Sequence, residues 1–204
     1  SIVNVMIGGK ENNKDFPTFM KTWHEFGESM NLAAKRNLGS RRIGKNKRYG
    51  EATGTLRRSL SVRFEGADGG TMIFHAKPPA DSYAKFIHEG VNGTIKRHGS
   101  PYSYGSKAPP IDAIRKWMRV KPVRLRDKKG QFIEQTPARL NSAAYGIAQG
   151  IKRNGIKGIK YYQLAYETMW PRWQSKLADS MENDIAKIMT ADLEGDSATK
   201  KPTE

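Results

Sequence analysis

Two runs of alternating side chains on either side of a glycine-rich link restrict this chain more than any other feature. In the first, Leu56, Arg58, Leu60, Val62 and Phe64 face one way and Arg57, Ser59, Ser61 and Arg63 the other. The second, Thr71-Met72-Ile73-Phe74-His75-Ala76, follows Gly66-Ala67-Asp68-Gly69-Gly70. Successive side chains of a strand point to opposite faces, so apolar residues at every second position give a strand with one buried face. Two such runs joined by a short glycine-rich segment predict an antiparallel hairpin. Arg58 is the one break in the pattern. A hairpin with one apolar face needs a second layer to cover it.

Helical patterns before and after the hairpin supply that layer. Phe16, Phe19, Met20, Trp23, Phe26 and Met30 recur at three- and four-residue steps, which predicts a helix reaching about Lys35. Asp15 stands where a cap belongs, and Pro17 where the first turn tolerates proline. A second helix is expected from Pro137 to Arg153, with Leu140, Ala144, Ile147, Ala148 and Ile151 inside and Gly155 as its stop. A third is expected from about Tyr162 to Met189 on Met169, Trp173, Leu177, Met181, Ile185 and Ile188, with a kink at Pro171 or a restart near Thr168.

Between hairpin and helices the chain changes character. Residues 92–110 are rich in Gly, Pro, Ser and Tyr and predict irregular structure, followed by a short helix with Ile111, Ile114 and Met118 on one side. Lys121 to Phe132 alternates apolar and basic residues around Asp127-Lys128-Lys129-Gly130, an exposed hairpin or arm. The expected fold class is α+β: an N-terminal helix and C-terminal helices packed on a small, mostly antiparallel β-sheet. Residues 1–15 read as an N-terminal arm, 16–190 as a single domain with its extended arm at 92–135, and 191–204 as a disordered polar tail.

Charge narrows the partners. The 204 residues include 36 Lys and Arg against 20 Asp and Glu, a formal net charge of +16 that favours nucleic acid or an acidic protein surface. One basic cluster is Lys35-Arg36, Arg41, Arg42, Lys45, Lys47, Arg48 and Arg57-Arg58; the other is Arg115-Lys116, Arg119, Lys121, Arg124, Arg126, Lys128 and Lys129. Aromatic residues are not interleaved with them as platforms for stacked bases, which disfavours single-strand recognition. Without cysteine, disulfides, thiolate-bound zinc and thiol catalysis are excluded. The apolar run Ile2–Ile7 is too short for a signal-peptide core, and no segment approaches the ~20 apolar residues of a bilayer span. The expectation is a soluble protein made in the cytoplasm.

Three short patterns occur in a fixed order. They are Thr53-Gly54-Thr55-Leu56-Arg57-Arg58-Ser59; Tyr83-Ala84-Lys85-Phe86-Ile87-His88-Glu89-Gly90 running on to Gly93-Thr94; and Ala148, Ile151, Gly155-Ile156 and Tyr161-Tyr162 ahead of the last helix. In order and spacing they resemble the tail-completion or head-tail joining proteins of the neck of tailed bacteriophages. The resemblance covers roughly residues 50–175. It implies a virion protein that forms a homo-oligomeric ring and contacts other proteins of the connector and tail; the residues themselves lead to the expectation of no cofactor, metal or membrane. It also implies that Gly54, Leu56 and Ser59 open the first long strand, and that Tyr83, Ala84, Glu89 and Gly90 sit near the hairpin after it. Where the family usually has an aromatic or aliphatic residue before the acid, this chain has His88. Candidate contacts with packaged DNA or acidic partners are Arg41, Arg42, Lys45, Lys47, Arg48, Arg124, Arg126, Lys128 and Lys129.

Catalytic motifs are incomplete. Gly39-Ser40-Arg41-Arg42-Ile43-Gly44-Lys45-Asn46 has the glycine and lysine spacing of a phosphate loop. Asn46 replaces the hydroxyl residue that would bind magnesium, and a helix rather than a strand precedes it, so a solvated basic loop is the better reading. His24, His75, His88 and His98 show no paired ligand spacing. His88 and Glu89 with Asp81 could be drawn as a metal or acid–base cluster, but His88 stands in the structural motif. Gly158-Ile159-Lys160-Tyr161-Tyr162 resembles the first signature of a small nuclease family, and the second signature is absent. The reading is a non-enzymatic neck protein, with a basic nucleic-acid-binding module as the alternative and a nuclease or nucleotide hydrolase as a third.

Overall fold

A computed structural model describes residues 4–6, 16–40, 42–43, 48–49, 54–66, 70–121 and 123–198; for 4–6, 40, 42–43, 48–49 and 192–198 it describes the backbone alone. The cap expected at Asp15 and the last residues of the expected tail lie outside them. The elements run β1 (Asn4–Met6), α1 (Pro17–Ser40), β2 (Arg42–Ile43), β3 (Arg48–Tyr49), α2 (Thr55–Ser59), β4 (Leu60–Glu65) and β5 (Thr71–Ala76). They continue with α3 (Asp81–Glu89), β6 (Gly90–Val91), α4 (Ile111–Val120), α5 (Pro137–Asn154), β7 (Ile156–Lys157) and α6 (Tyr161–Ala198). The class is α+β, with helices toward both ends of the chain and small antiparallel sheets. Length points to one domain; the chain divides into two compact units interleaved in sequence.

The first unit holds Ser1–Arg36, Leu60–Lys77 and Tyr162–Glu204. Its sheet has the order β1-β5-β4, all antiparallel, with Leu60 opposite Ala76, Val62 opposite Phe74 and Phe64 opposite Met72. Leu60, Val62, Met72, Phe74 and Ala76 are buried, as the alternation demands. Phe19, Trp23, Phe26 and Met30 of α1 are buried as well, and the helix lies close because position 27 has no side chain. A Cβ on Gly27 would stand 2.5 Å from Met72 Sδ and 3.0 Å from the Phe64 ring. From α6, Tyr162 sets its ring 4.9 Å from that of Phe74 and donates its hydroxyl to Asn31 Oδ1 at 3.3 Å.

Four stretches depart from the sequence pattern. The Gly54–Ser59 motif does not open the strand: Thr55–Ser59 is a turn of helix and β4 begins at Leu60. Gly54 has φ of +72°, its carbonyl accepts from Arg58 N at 3.0 Å, and Ser59 Oγ donates to Leu56 O at 2.8 Å. These local bonds compete successfully with strand pairing, and the break in alternation at Arg58 is their trace. Asn4–Met6, read as part of an arm, pairs with β5 as an edge strand. The first helix runs on to Ser40, five residues beyond Lys35. The last continues through Pro171 without restart and reaches Ala198, so 191–198 are helical and not a disordered tail. Proline forfeits one backbone bond and crowds the preceding turn. Trp170 and Trp173, 6.1 and 5.8 Å from Phe26, anchor the helix on both sides of it.

Asp184 joins the two long helices of this unit. Its buried carboxylate accepts from Phe19 N at 2.8 Å, in the first turn of α1, across 165 residues of sequence. Burial pushes its pKa up, but hydrogen bonds from Thr18 and Phe19, together with nearby Lys187, outweigh that and hold it below 3.8. Asp184→Ala should therefore cost about 1–3 kcal/mol in urea unfolding, since it strands helix-terminal N–H groups away from water. Lys187→Ala, at an exposed side chain 3.8 Å from the carboxylate, should change stability by less than about 0.5 kcal/mol. Because the folded pKa is depressed, this stabilisation is full above the unfolded value and is lost as pH falls below it.

Candidate functional site

The second unit holds Asn37–Ser59 and Pro78–Tyr161. In it the second and third sequence patterns cross. The short strands β6 and β7 are antiparallel, with Gly90 opposite Lys157 and Val91 opposite Ile156. Around them Ile159 N donates to Ile87 O at 3.0 Å, Lys160 N to His88 O at 3.0 Å and Thr94 N to Lys152 O at 2.9 Å. Ile95 N and Lys96 N both donate to Arg153 O, at 3.0 and 3.1 Å. A Cβ on Gly90, Gly93, Gly155 or Gly158 would come closer than 3.0 Å to backbone on the other side of the crossing. Gly90 and Gly155 also have φ of +79° and +68°, conformations that glycine adopts without strain.

Side chains lock the crossing. The Lys160 ammonium pairs with the Glu89 carboxylate, and His88 Nε2 lies 3.5 Å from the other carboxylate oxygen. Tyr161 is fully buried, meets the His88 ring edge-on at 4.7 Å and donates its hydroxyl to Ala84 O at 3.4 Å. Burial, helped by Glu89, raises the Tyr161 pKa, so the phenol stays protonated. Burial also lowers the His88 pKa below 6.5; Glu89 raises it and Lys160 lowers it. At neutral pH His88 is an uncharged packing and hydrogen-bonding group. Beyond the crossing, buried Asn92 accepts from His98 N at 2.7 Å and donates to Ser100 O at 2.6 Å, while Ser100 Oγ donates to Gly90 O at 2.7 Å. These bonds hold the glycine- and proline-rich segment without regular structure.

The basic hairpin stands on a separate core of the same unit, made of Ile114 and Met118 of α4 and Ala144 and Ala148 of α5. The Thr136 hydroxyl accepts from Arg139 N at 3.4 Å and Pro137 follows it, so α5 starts where the hairpin ends. Arg126 bridges to Phe132, and the Asp127 carboxylate accepts from Gln131 N at 2.8 Å to close the turn. The Arg126 guanidinium lies 3.9 Å from the centre of the Phe132 ring and donates to Gly130 O at 2.7 Å; Arg124 lies 5.6 Å from the ring. Lys128 and Lys129 are exposed at the tip. Beside the hairpin is a cavity of about 550 Å³ with Arg115, Arg119, Gln135 and Asn141 at its polar edge and Met118, Val123 and Leu140 among its apolar lining.

The predicted contact residues lie on different elements. Arg124, Arg126, Lys128 and Lys129 share the hairpin, near the α4 bases. Arg42 and Arg48 lie on β2 and β3, with Arg42 opposite Tyr49 and Ile43 opposite Arg48. Arg41, Lys45 and Lys47 lie outside the described residues. Gly39 and Ser40 end a helix, which keeps the phosphate-loop context absent. Tyr83, Ala84, Glu89 and Gly90 belong to α3 and the crossing; Gly54, Leu56 and Ser59 belong to the turn before β4. Sequence reasoning missed Lys160, whose φ of +55° turns the chain from the crossing into α6, and it missed the cavity. A lysine next to the glycine-rich turn and before two tyrosines was the available signal.

Among the described residues no three His, Asp or Glu side chains gather as a metal site, and no helix is long and apolar enough to cross a membrane. No protein-family model, curated protein or solved structure matches the chain.

Gly93→Ala or Gly158→Ala should destabilise the protein by about 2–4 kcal/mol in urea unfolding, because the obstructing atoms are backbone and cannot step aside. Gly105→Ala, where a Cβ would meet nothing within 4 Å and the backbone has no positive φ, serves as the control for the loss of glycine's backbone freedom alone. His88 gives a second test. Its depressed pKa means that the unfolded chain takes up the proton first, so stability should fall as pH drops below 6.5. His88→Gln should flatten the pH dependence between pH 7 and 5 relative to the parent.

Proposed function

We propose that this chain is a structural virion protein of a tailed bacteriophage, a neck subunit that assembles into a ring, completes the tail and joins it to the head connector. The observation that carries this reading is the meeting of the second and third motifs at one glycine-lined backbone crossing. Residues that read as a family pattern in sequence, Glu89, Gly90, Gly155 and Tyr161, are framework residues in space. They pack, bond to backbone or admit it closely, which supports a scaffold role for the motifs.

On this reading the work is geometric. The crossing fixes α3 and the start of α6, and the hairpin of Arg124–Phe132 presents cations and an exposed aromatic ring to a neighbour. Exposed Lys128 and Lys129 suit nonspecific contact with packaged DNA or with an acidic ring. The same two lysines favour the second reading, a free nucleic-acid-binding module.

Deletion of the gene from its parent phage should leave full heads and complete tails unattached in electron micrographs of lysates. Normal infectious particles would contradict the neck reading. Duplex binding by the isolated protein, measured across a salt series, separates the alternative. If the hairpin tip grips phosphate, Lys128→Ala with Lys129→Ala should lower the logarithmic salt slope by about 2. Tight binding lost with these residues, together with normal particles, would favour the module.

A further inference from the structure

The charge of the chain is unevenly placed. Residues 177–198 carry six carboxylates, Asp179, Glu182, Asp184, Asp192, Glu194 and Asp196, and a single cation, Lys187. Residues 115–129 carry eight cations and a single acid, Asp127. In a protein of net charge +16 the far half of α6 is thus an acidic island in sequence; among its described side chains Asp179 and Glu182 are exposed, whereas Asp184 is buried against α1.

That island has an apolar centre. Leu177, Ser180 and Asp184 are buried on one side of α6, whereas Met181, Ile185 and Met189 are exposed, Met189 by 62%. Residues four apart lie above one another on a helix, so these three form a stripe, with exposed Glu182 on the same face. Contiguous exposed apolar surface rimmed by charge is the mark of a contact face, and methionine adapts to a partner's shape. The cavity of the second unit has the complementary composition. Arg115 and Arg119, one helical turn apart on α4, line it together with Met118, Val123 and Leu140. Arg115 makes an exposed, 3.3 Å pairing with Asp112, which a second carboxylate can replace at little cost.

We propose that the Met181–Met189 face of α6 docks on the Arg115–Arg119 cavity of a second copy of this chain, so that copies associate head to tail. The occupant follows from sign. Two Arg115–Arg119 faces repel each other, whereas the Glu182 carboxylate beside the α6 stripe attracts them, so sign favours the meeting of unlike faces. A contact between two different faces is heterologous and builds a ring when its rotation closes. The inference rests on the neck reading only for that closure; the contact itself stands on the two surfaces.

Analytical ultracentrifugation of the full chain tests it. The wild type should self-associate with rising concentration, and at least tenfold more weakly in 500 mM than in 50 mM salt. Arg115→Glu with Arg119→Glu should be monomeric, as should Glu182→Lys with Met189→Lys, each with unchanged circular dichroism. Mixing the two variants should restore association, since each retains the face that the other lacks. A monomeric wild type, variants that associate as the parent does, or an inert mixture would each overturn the contact. A monomeric wild type alongside unattached heads and tails in the deletion phage would overturn the contact and keep the neck reading. Head-to-tail association alongside normal particles would do the reverse.

Discussion

The close passage of backbone against backbone at Gly90, Gly93, Gly155 and Gly158 is the constraint on which the second unit depends. Side chains are excluded there by other main-chain atoms, which have nowhere to move. Given that approach, the rest follows. The amides of Ile159 and Lys160 can reach the last carbonyls of α3, and those of Thr94 to Lys96 the last carbonyls of α5, so two helix ends are satisfied by strand-like segments and not by water. The Glu89–Lys160 pair and the buried ring of Tyr161 then close over the joint. Ion pair and phenol without the glycines would have no crossing to lock.

The first unit solves the matching problem by another route. Its sheet is too small to bury much on its own, and its stability comes from covering one face with α1 and α6. Asp184 ties these helices together by placing a carboxylate on the N-terminal amides of α1, the work that a local cap normally does. The two units thus share a theme: helix ends are finished by residues distant in sequence, which makes the elements depend on one another. The hairpin of Arg124–Phe132 is held mostly by its own contacts.

Much of this was legible in the sequence, and the failures have physical causes. The hairpin of Leu60–Ala76 follows from alternation, because period-two burial is a local property. Helices α1, α4 and α5 follow from apolar spacing, and Gly155 marks a stop because a positive φ favours glycine. The short helix at Thr55–Ser59 was hidden inside an apparent strand, where a serine–carbonyl bond and the turn at Gly54 overrule alternation. Passage of α6 through Pro171 was hidden because it depends on Trp170 and Trp173 packing on a phenylalanine about 145 residues earlier. The cavity was hidden for the same reason: α4, the residues flanking the hairpin and α5 each contribute a part, and no periodicity records their meeting. The charge clusters were legible as composition, but which of their members share a surface was not.

Cryo-electron microscopy of the neck in purified parent particles tests the central claim most directly. The account predicts a ring of copies of this chain between the head connector and the tail, with the Arg124–Phe132 hairpin of each copy against a neighbouring subunit or the DNA channel. A neck fully accounted for by other chains, with this one absent from the particle, would contradict it.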